Sequence, residues 1–342
     1  MSDINDNIVK YPELPVIEIV DDLVQVFKEF MVVNSLLKLD FFSWLSENGP
    51  ATPVEIADGT GIKPEYMPAL LGTLFYLDMV RKTGDKFSIS PAAQMNFVKS
   101  SKFYQGDYLL SFPMSDSPWM EMDKYLTVPD IKTIFDPLSL QSVKAQAEYS
   151  IRGTVQNVVN AMKTWKGFSD AHMLLEMNGG HGNFAIAACQ INPNLKAKVL
   201  TGVADTIVAR GYVEKFGMTD RITVTAGNIF ADVGEEYDIV LTSHSLYQLK
   251  GKFDDVFARI YSILKEGGLF FSNHWFDHPS SGTGMQGLYE LELAMHNRYH
   301  QLDNREEFER LCNTHNLQLL QVGIIRSQYG ESIIHMAEKK GV

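Results

Sequence analysis

From Ala171 onward the chain alternates short apolar runs with stretches of helical periodicity, and this alternation leaves few folds open to it. The runs are "HMLLEM", "KAKVLTG", "RITVTAG", "YDIVLTS" and "GGLFFSNHW". Strands that alternate with helices build βαβ units and predict an α/β domain around a parallel, doubly wound sheet. In such a sheet a ligand lies at the carboxyl ends of the strands, near the point where strand order reverses. The residues that close each run are therefore the first candidates for function. The last portion, "DNREEFERLCNTHNLQLLQVGIIRSQYGESIIHMAEKK", predicts one helix followed by two strands.

The first hundred residues follow another pattern. Apolar residues at three- and four-residue spacing in "IEIVDDLVQVFKEFMVVNSLLKLDFFSWLSE" predict two helices. In "ATPVEIADGTG", Thr52 and Glu55 have the spacing of a capping box. "KPEYMPALLGTLFYLDMV" predicts a further helix with Pro64 near its start, and "VRKTGDKFSISP" a hairpin around Gly84 and Asp85. Helices and hairpin in this order describe a winged-helix unit over residues 1–98. A winged helix that reads DNA presents Arg and Lys on its second helix, but this one has no basic residue before Arg81. A net charge of −12 also opposes phosphate binding. The unit is expected to serve dimerisation or as a scaffold, with no nucleic acid as partner.

At 342 residues the chain has room for about two domains. Residues 99–168 read as a helical connector with aromatic and Met side chains such as Tyr108, Phe112, Trp119 and Met120, a common place for a pocket wall. Residues 169–342 carry the α/β domain. Cys189 and Cys312 lie far apart and match no zinc spacing, so they read as buried thiols in a reducing compartment. The opening "MSDINDNIVKYPELP" is polar and acidic, unlike a secretory signal, and no apolar run approaches the roughly 18 residues of a membrane span. The expectation is a cytoplasmic protein with no membrane partner.

The stretch "LLEMNGGHGNFAIAA" reads as a strand, a glycine-rich turn and a helix. Small residues let the backbone approach a ligand closely. Asn178 tolerates left-handed backbone better than most residues. His181 stands at a position that needs no particular side chain.

Together with "ATPVEIADGTGI", "MTDRITVTAGNIF", "YDIVLTSHSLYQL" and "LKEGGLFF", in that order, this turn gives nearly the whole chain a resemblance to a known family. It resembles the class I S-adenosylmethionine-dependent methyltransferases of the small-molecule O-methyltransferase family, bacteriochlorophyll ring C-methyltransferases among them. The resemblance implies a C-terminal Rossmann-like domain, an N-terminal winged-helix dimerisation domain, S-adenosyl-L-methionine as cofactor and a small aromatic or conjugated substrate. It also implies a homodimer. The cofactor residues it implies are Glu176, Asn178, Gly180, Gly182, Thr201, Asn228, Ile229 and Ser243.

Several positions depart from the family pattern. Asn178 replaces a glycine. Thr201 replaces the acid that takes both ribose hydroxyls, and a hydroxyl cannot make that bidentate, charge-assisted pair; Asp205, four residues on, is a partial substitute. Asn228 replaces the Asp that faces the adenine amine, with Ile229 to pack on the ring. The family's base, a His, aligns with Tyr247; the Asp after it aligns with Gln248, and a Lys before it with Ser243. The Glu that orients the base aligns with His274, and a second Glu with Leu302.

Two readings of the exchange stay open. Tyr247 and His274 form a hydroxyl–imidazole pair with His274 as the base near neutrality, or both merely line a pocket. Trp119, Met285, His296 and Tyr299 are the substrate-lining candidates. His296 and His300 share a helical face and, with His274 or Asp277, have the makings of a metal site; without a ligand motif no metal is expected, and a polar lip that includes His278 is the simpler reading. His244 reads as structural or solvent-facing. The expected reaction is methyl transfer to oxygen or carbon. The alternatives are a cofactor-binding enzyme that does not methylate, of hydroxylase or rearrangement type, and a non-catalytic dimeric paralogue.

Overall fold

The computed structural model describes residues 18–114, 117–128, 140–234, 236–249, 251–276, 288, 291, 295, 304–327 and 330–341. Met285, His296 and Tyr299 lie outside these residues, as do Asp277, His278, His300 and Leu302. The chain divides into two units, Met1–Gly106 and Asp107–Val342.

The first unit contains helices α1 (Glu18–Lys38), α2 (Phe41–Asn48), α3 (Pro53–Thr60) and α4 (Met67–Tyr76). The hairpin β1 (Val80–Thr83) and β2 (Lys86–Ile89) follows, then α5 (Pro91–Phe97). Local chemistry explains the boundaries. The Thr52 hydroxyl accepts from the Glu55 amide, and the Glu55 carboxylate accepts from the Thr52 amide at 2.7 Å, completing the capping box. Pro64–Tyr66 forms a single tight turn that leads into α4. Gly84, at φ 63°, turns the hairpin, and Val80 pairs with Ile89. Phe41, Phe42, Leu45, Ile56, Leu71 and Leu74 make the core. Each such buried side chain contributes about 1.5–3 kcal/mol relative to exposure. The first half of α1 is different: Ile19, Leu23 and Phe27 are 65%, 70% and 63% exposed.

The second unit is built on a seven-stranded sheet. Its strands are β3 (Met173–Met177), β4 (Lys196–Thr201), β5 (Ile222–Ala226), β6 (Tyr237–Ser243), β7 (Leu264–His274), β8 (Leu317–Ser327) and β9 (Gly330–Lys339). The spatial order is β5-β4-β3-β6-β7-β9-β8. β3 to β7 are parallel neighbours, and β9 runs antiparallel between β7 and β8. The five runs and the two closing strands thus join one mixed α/β sheet that is mostly parallel. Strand order reverses between β3 and β6, the switch point outside whose carboxyl ends sheets of this kind bind ligands.

Alternation along each strand feeds two apolar layers. Leu174, Ile239, Leu269 and Phe271 enter the layer that holds α9 (Thr154–Met162) and α10 (Asn183–Ile191). Leu175, Val240 and Phe270 enter the layer that holds α12 (Phe253–Ile263) and α13 (Arg305–Thr314). Much of the connector stretch belongs to this unit: α8 (Leu140–Ser150) meets α11 (Asp205–Lys215), and α9 meets α10. Cys189 and Cys312 are buried and unpaired. Among the described residues, no helix is long and apolar enough to cross a membrane, and no group of three His, Cys, Asp or Glu side chains is placed to hold a metal.

Candidate active site

The glycine turn sits at the switch point, directly after β3. Asn178, Gly180 and Gly182 are left-handed, with φ of 51°, 51° and 73°. Gly182 is required twice over, since an added Cβ would also stand 3.3 Å from a Val199 methyl. The turn spends its amides on the protein itself. Gly179 N donates to Leu200 O at 3.2 Å and Gly182 N to Gly179 O at 2.9 Å. Gly180 N donates to Thr201 Oγ1 at 3.1 Å, Asn183 N to His181 Nδ1 at 3.1 Å, and Ala185 N to Glu176 Oε2 at 2.7 Å. A phosphate-binding turn leaves such amides aimed at its ligand. This one offers a close backbone surface instead.

Glu176 lies beneath the turn. It is 2% exposed, and its Oε1 has no hydrogen-bond partner among the described residues. A Cβ on Gly179 would fall 2.7 Å from that oxygen, so Gly179 is a glycine because a buried carboxyl underlies it. Burial pushes the Glu176 carboxyl up to about 8, against the pull of the Ala185 amide. His181 is buried and its imidazole is held down to about 4 by desolvation, which leaves its Nδ1 free to accept from Asn183. Asn183 in turn donates to Ala147 O and Ser150 Oγ, fastening α8 over the turn. Asn178 reaches across the switch point and donates to Ser245 O at 3.2 Å.

The end of β4 does not present a ribose clamp. Thr201 is 1% exposed; its hydroxyl accepts from Gly180 N and donates to Asp205 Oδ2 at 3.2 Å. Asp205 is 6% exposed and tucked under Gly202. Beyond β5, the Asn228 carbonyl accepts from Phe230 N at 2.9 Å within its own turn. Ile229 is in the core with Leu200, Val233 and Tyr237, so it presents no face for a ring. The exposed apolar side chain of this turn is Phe230, which the sequence reading missed.

At the ends of β6 and β7 the expected hydroxyl–imidazole pair is replaced by another. His274 is fully buried; its Nε2 accepts from the amides of Ser245 and Leu246, both at 3.3 Å, and its Nδ1 meets Ser272 Oγ at 2.8 Å. Burial holds this imidazole well below its ordinary value, with His244 and His335 adding to the shift. Both ring nitrogens are occupied, so His274 has no lone pair to offer a substrate. Its contact with Tyr247 is a T-shaped ring packing, with centroids 5.4 Å apart and planes at 82°.

The Tyr247 hydroxyl pairs with His244 instead, 2.6 Å from its Nδ1. His244 holds a left-handed φ of 50°, and its ring lies 3.9 Å from that of Trp275. Asn273 Nδ2 bonds Ser243 Oγ at 3.0 Å and His244 Nε2 at 3.2 Å. With Nε2 accepting, the proton of a neutral His244 sits on Nδ1 and points at the tyrosine oxygen. Trp275 N also donates to that oxygen, at 2.9 Å. Both lone pairs of the oxygen are then filled, and the Tyr247 O–H is left to donate elsewhere. Burial holds His244 down to about 3 and Tyr247 above its ordinary value. The signal for His244 and Asn273 was in "TSHSLY" and "SNHW", but spacing alone does not reveal which side chains meet. Trp119 sits on the turn Pro118–Glu121, and no hydrogen bond or ring contact among the described residues joins it to these strand ends.

Solved O-methyltransferase family proteins share the fold of this chain. Human N-acetylserotonin methyltransferase, solved with S-adenosylmethionine, superposes with a TM-score of 0.74 at 18% identity, over 96% of this chain and 99% of that one. By sequence the chain is 25% identical over 282 residues to an uncharacterised protein of Methanocaldococcus jannaschii, covering 80% of this chain and 73% of that protein. It is 22% identical to the N,N-dimethyltransferase OxyT of Streptomyces rimosus, over 80% of this chain and 82% of that protein. No family model matches the chain.

Proposed function

We propose that the protein is an S-adenosyl-L-methionine-dependent methyltransferase acting on a small aromatic or conjugated molecule. The observation that carries this is the glycine turn at the switch point, closed to phosphate by its inward amides and underlain by the buried carboxyl of Glu176. An amino-acid-bearing nucleoside fits it better than a dinucleotide does. The residues suit the cofactor's amino-acid end: Glu176 keeps one unengaged oxygen for an ammonium, and glycine at 180 leaves room for close approach. They suit its ribose less well, because Thr201 and Asp205 are engaged with each other. When bound, the cofactor supplies an electrophilic methyl group on a sulfonium.

The chain's own part is positioning, which supplies much of the acceleration in a displacement of this kind. Asn178 ties the turn to the β6 loop through its bond to Ser245 O, which sets the cofactor end against the Tyr247 end. The Tyr247 O–H, its oxygen fixed by His244 and Trp275, donates to an acceptor atom on the substrate and orients the nucleophile. Trp275, His244 and Tyr247 form an aromatic wall that suits a flat substrate. Asn228 and Phe230 stand at the adenine end, and Ser243 acts through Asn273.

The same reading treats residues 1–98 as a winged-helix dimerisation domain in a cytoplasmic homodimer. Its support is the uncovered stripe of Ile19, Leu23 and Phe27 on α1, which suits a second copy. Calorimetric titration with S-adenosylmethionine and S-adenosylhomocysteine tests the cofactor, and transfer of labelled methyl to candidate acceptors tests the reaction. Absence of binding at millimolar ligand overturns the proposal. Light scattering on a size-exclusion column tests the dimer.

A further inference from the structure

The end of β4 performs a different task from the one its position suggests. In nucleotide-binding sheets of this type a carboxylate there takes the ribose hydroxyls. Here the residue is Thr201, and both hydrogen-bonding directions of its hydroxyl are used inside the protein. It accepts from Gly180 N at 3.1 Å and donates to Asp205 Oδ2 at 3.2 Å. The Asp205 carboxylate, four residues on, is therefore turned inward. Asp205 is 6% exposed, and a Cβ on Gly202 would stand 3.1 Å from its Oδ2, so the Gly202 backbone covers it. The surface that remains after β4 is apolar: Val203 is 78% exposed and Ile207 63%. Phe230, 46% exposed, adds a ring beyond the neighbouring strand end.

We propose that this site recognises the adenosyl group without a carboxylate clamp on the ribose, so that it accepts nucleosides lacking the 2′- or 3′-hydroxyl about as well as the parent. Thr201 is a positioning residue for the glycine turn: its hydroxyl, held by Asp205, fixes Gly180 and through it the grip on the amino-acid end. The specificity of the site is thereby shifted from the sugar to the methionine portion and the base. This rests on the cofactor reading above.

The test needs no methyl acceptor. S-adenosylhomocysteine and its 2′-deoxy and 3′-deoxy analogues are titrated into the full-length protein by calorimetry. Loss of a charge-assisted hydroxyl contact weakens binding roughly ten- to hundredfold; here the three dissociation constants are expected within about threefold. A loss of tenfold or more for either analogue, with the parent still binding, overturns this inference and leaves the cofactor reading intact. No binding of the parent overturns both. Thr201→Val is expected to weaken parent and analogues by the same factor, and Thr201→Ser to restore them. A Thr201→Val defect seen with the parent and absent with the deoxy analogues places the hydroxyl on the ribose and overturns the assignment.

Discussion

His244 Nδ1 and the Tyr247 hydroxyl stand 2.6 Å apart, joining a residue of left-handed backbone to the first residue of the turn that follows β6. A non-glycine residue in that conformation persists when its surroundings over-determine it, and here the His244 amide is tied to Asn273 O at 2.9 Å while the ring is held from both sides. Tyr247→Phe is expected to leave S-adenosylhomocysteine affinity within about twofold and to slow turnover of an accepted substrate roughly ten- to hundredfold, the effect of one hydrogen bond to the reacting molecule. His244→Asn, which suits a positive φ, should act in the same direction and add little to Tyr247→Phe. Steady-state rates of the two single variants and the double variant decide this.

His274 is a structural acceptor. His274→Ala leaves the amides of Ser245 and Leu246 buried without their partner and removes a ring from the contact with Phe308. The expected cost is on the order of 2–4 kcal/mol of unfolding free energy, measured by urea titration. Any loss of methyl transfer should follow the loss of folded protein; a stable variant with abolished turnover contradicts this.

Glu176 governs a pH dependence. The folded protein keeps this proton until about pH 8, whereas the unfolded chain releases it near the ordinary carboxylate value of 4.5. The Glu176 contribution to stability is therefore fully present below the ordinary carboxylate range and is lost as pH rises through the interval up to about 8, while the depressed imidazoles of His181 and His244 oppose it on the acid side. Glu148 carries a shift of the same direction to about 8, so removing one group reduces the slope and does not abolish it. Glu176→Gln is expected to stabilise the free protein at pH 7 by on the order of 1–3 kcal/mol and to weaken S-adenosylmethionine binding. In the parent, capture of the ligand's ammonium should release a proton, which calorimetry in buffers of different ionisation enthalpy detects.

Gly182→Ala tests the turn. The variant meets a φ of 73° and a Val199 methyl at 3.3 Å together. A left-handed alanine costs about 1–2 kcal/mol before any crowding. Cofactor affinity should fall with it, because the turn and α10 share this residue. Gly211→Ala, inside α11 where an added Cβ meets nothing within 4 Å, is the control expected to stabilise the helix by about 0.5–1 kcal/mol and leave cofactor affinity unchanged.

The order and kind of the main elements can be read from local sequence. Periodicity, the Thr52 capping box and the Gly84 turn are local, and each was legible because its cause lies within a few residues of its effect. The run of strands with a glycine turn after the first also located the crevice. Which side chains meet there depends on contacts between segments far apart in the chain. Tyr247 and His274 occupy the strand ends that the sequence indicated, yet the hydroxyl turned to His244, because Asn273, 29 positions from His244, arrives on the neighbouring strand and fixes that ring. Thr201 turned inward because Gly180, 21 positions before it, offered an amide. Ile229 went to the core and left Phe230 outside. Partner choice and burial are settled by contacts between distant segments, and residue spacing carries no information about which of several polar neighbours satisfies a hydrogen bond.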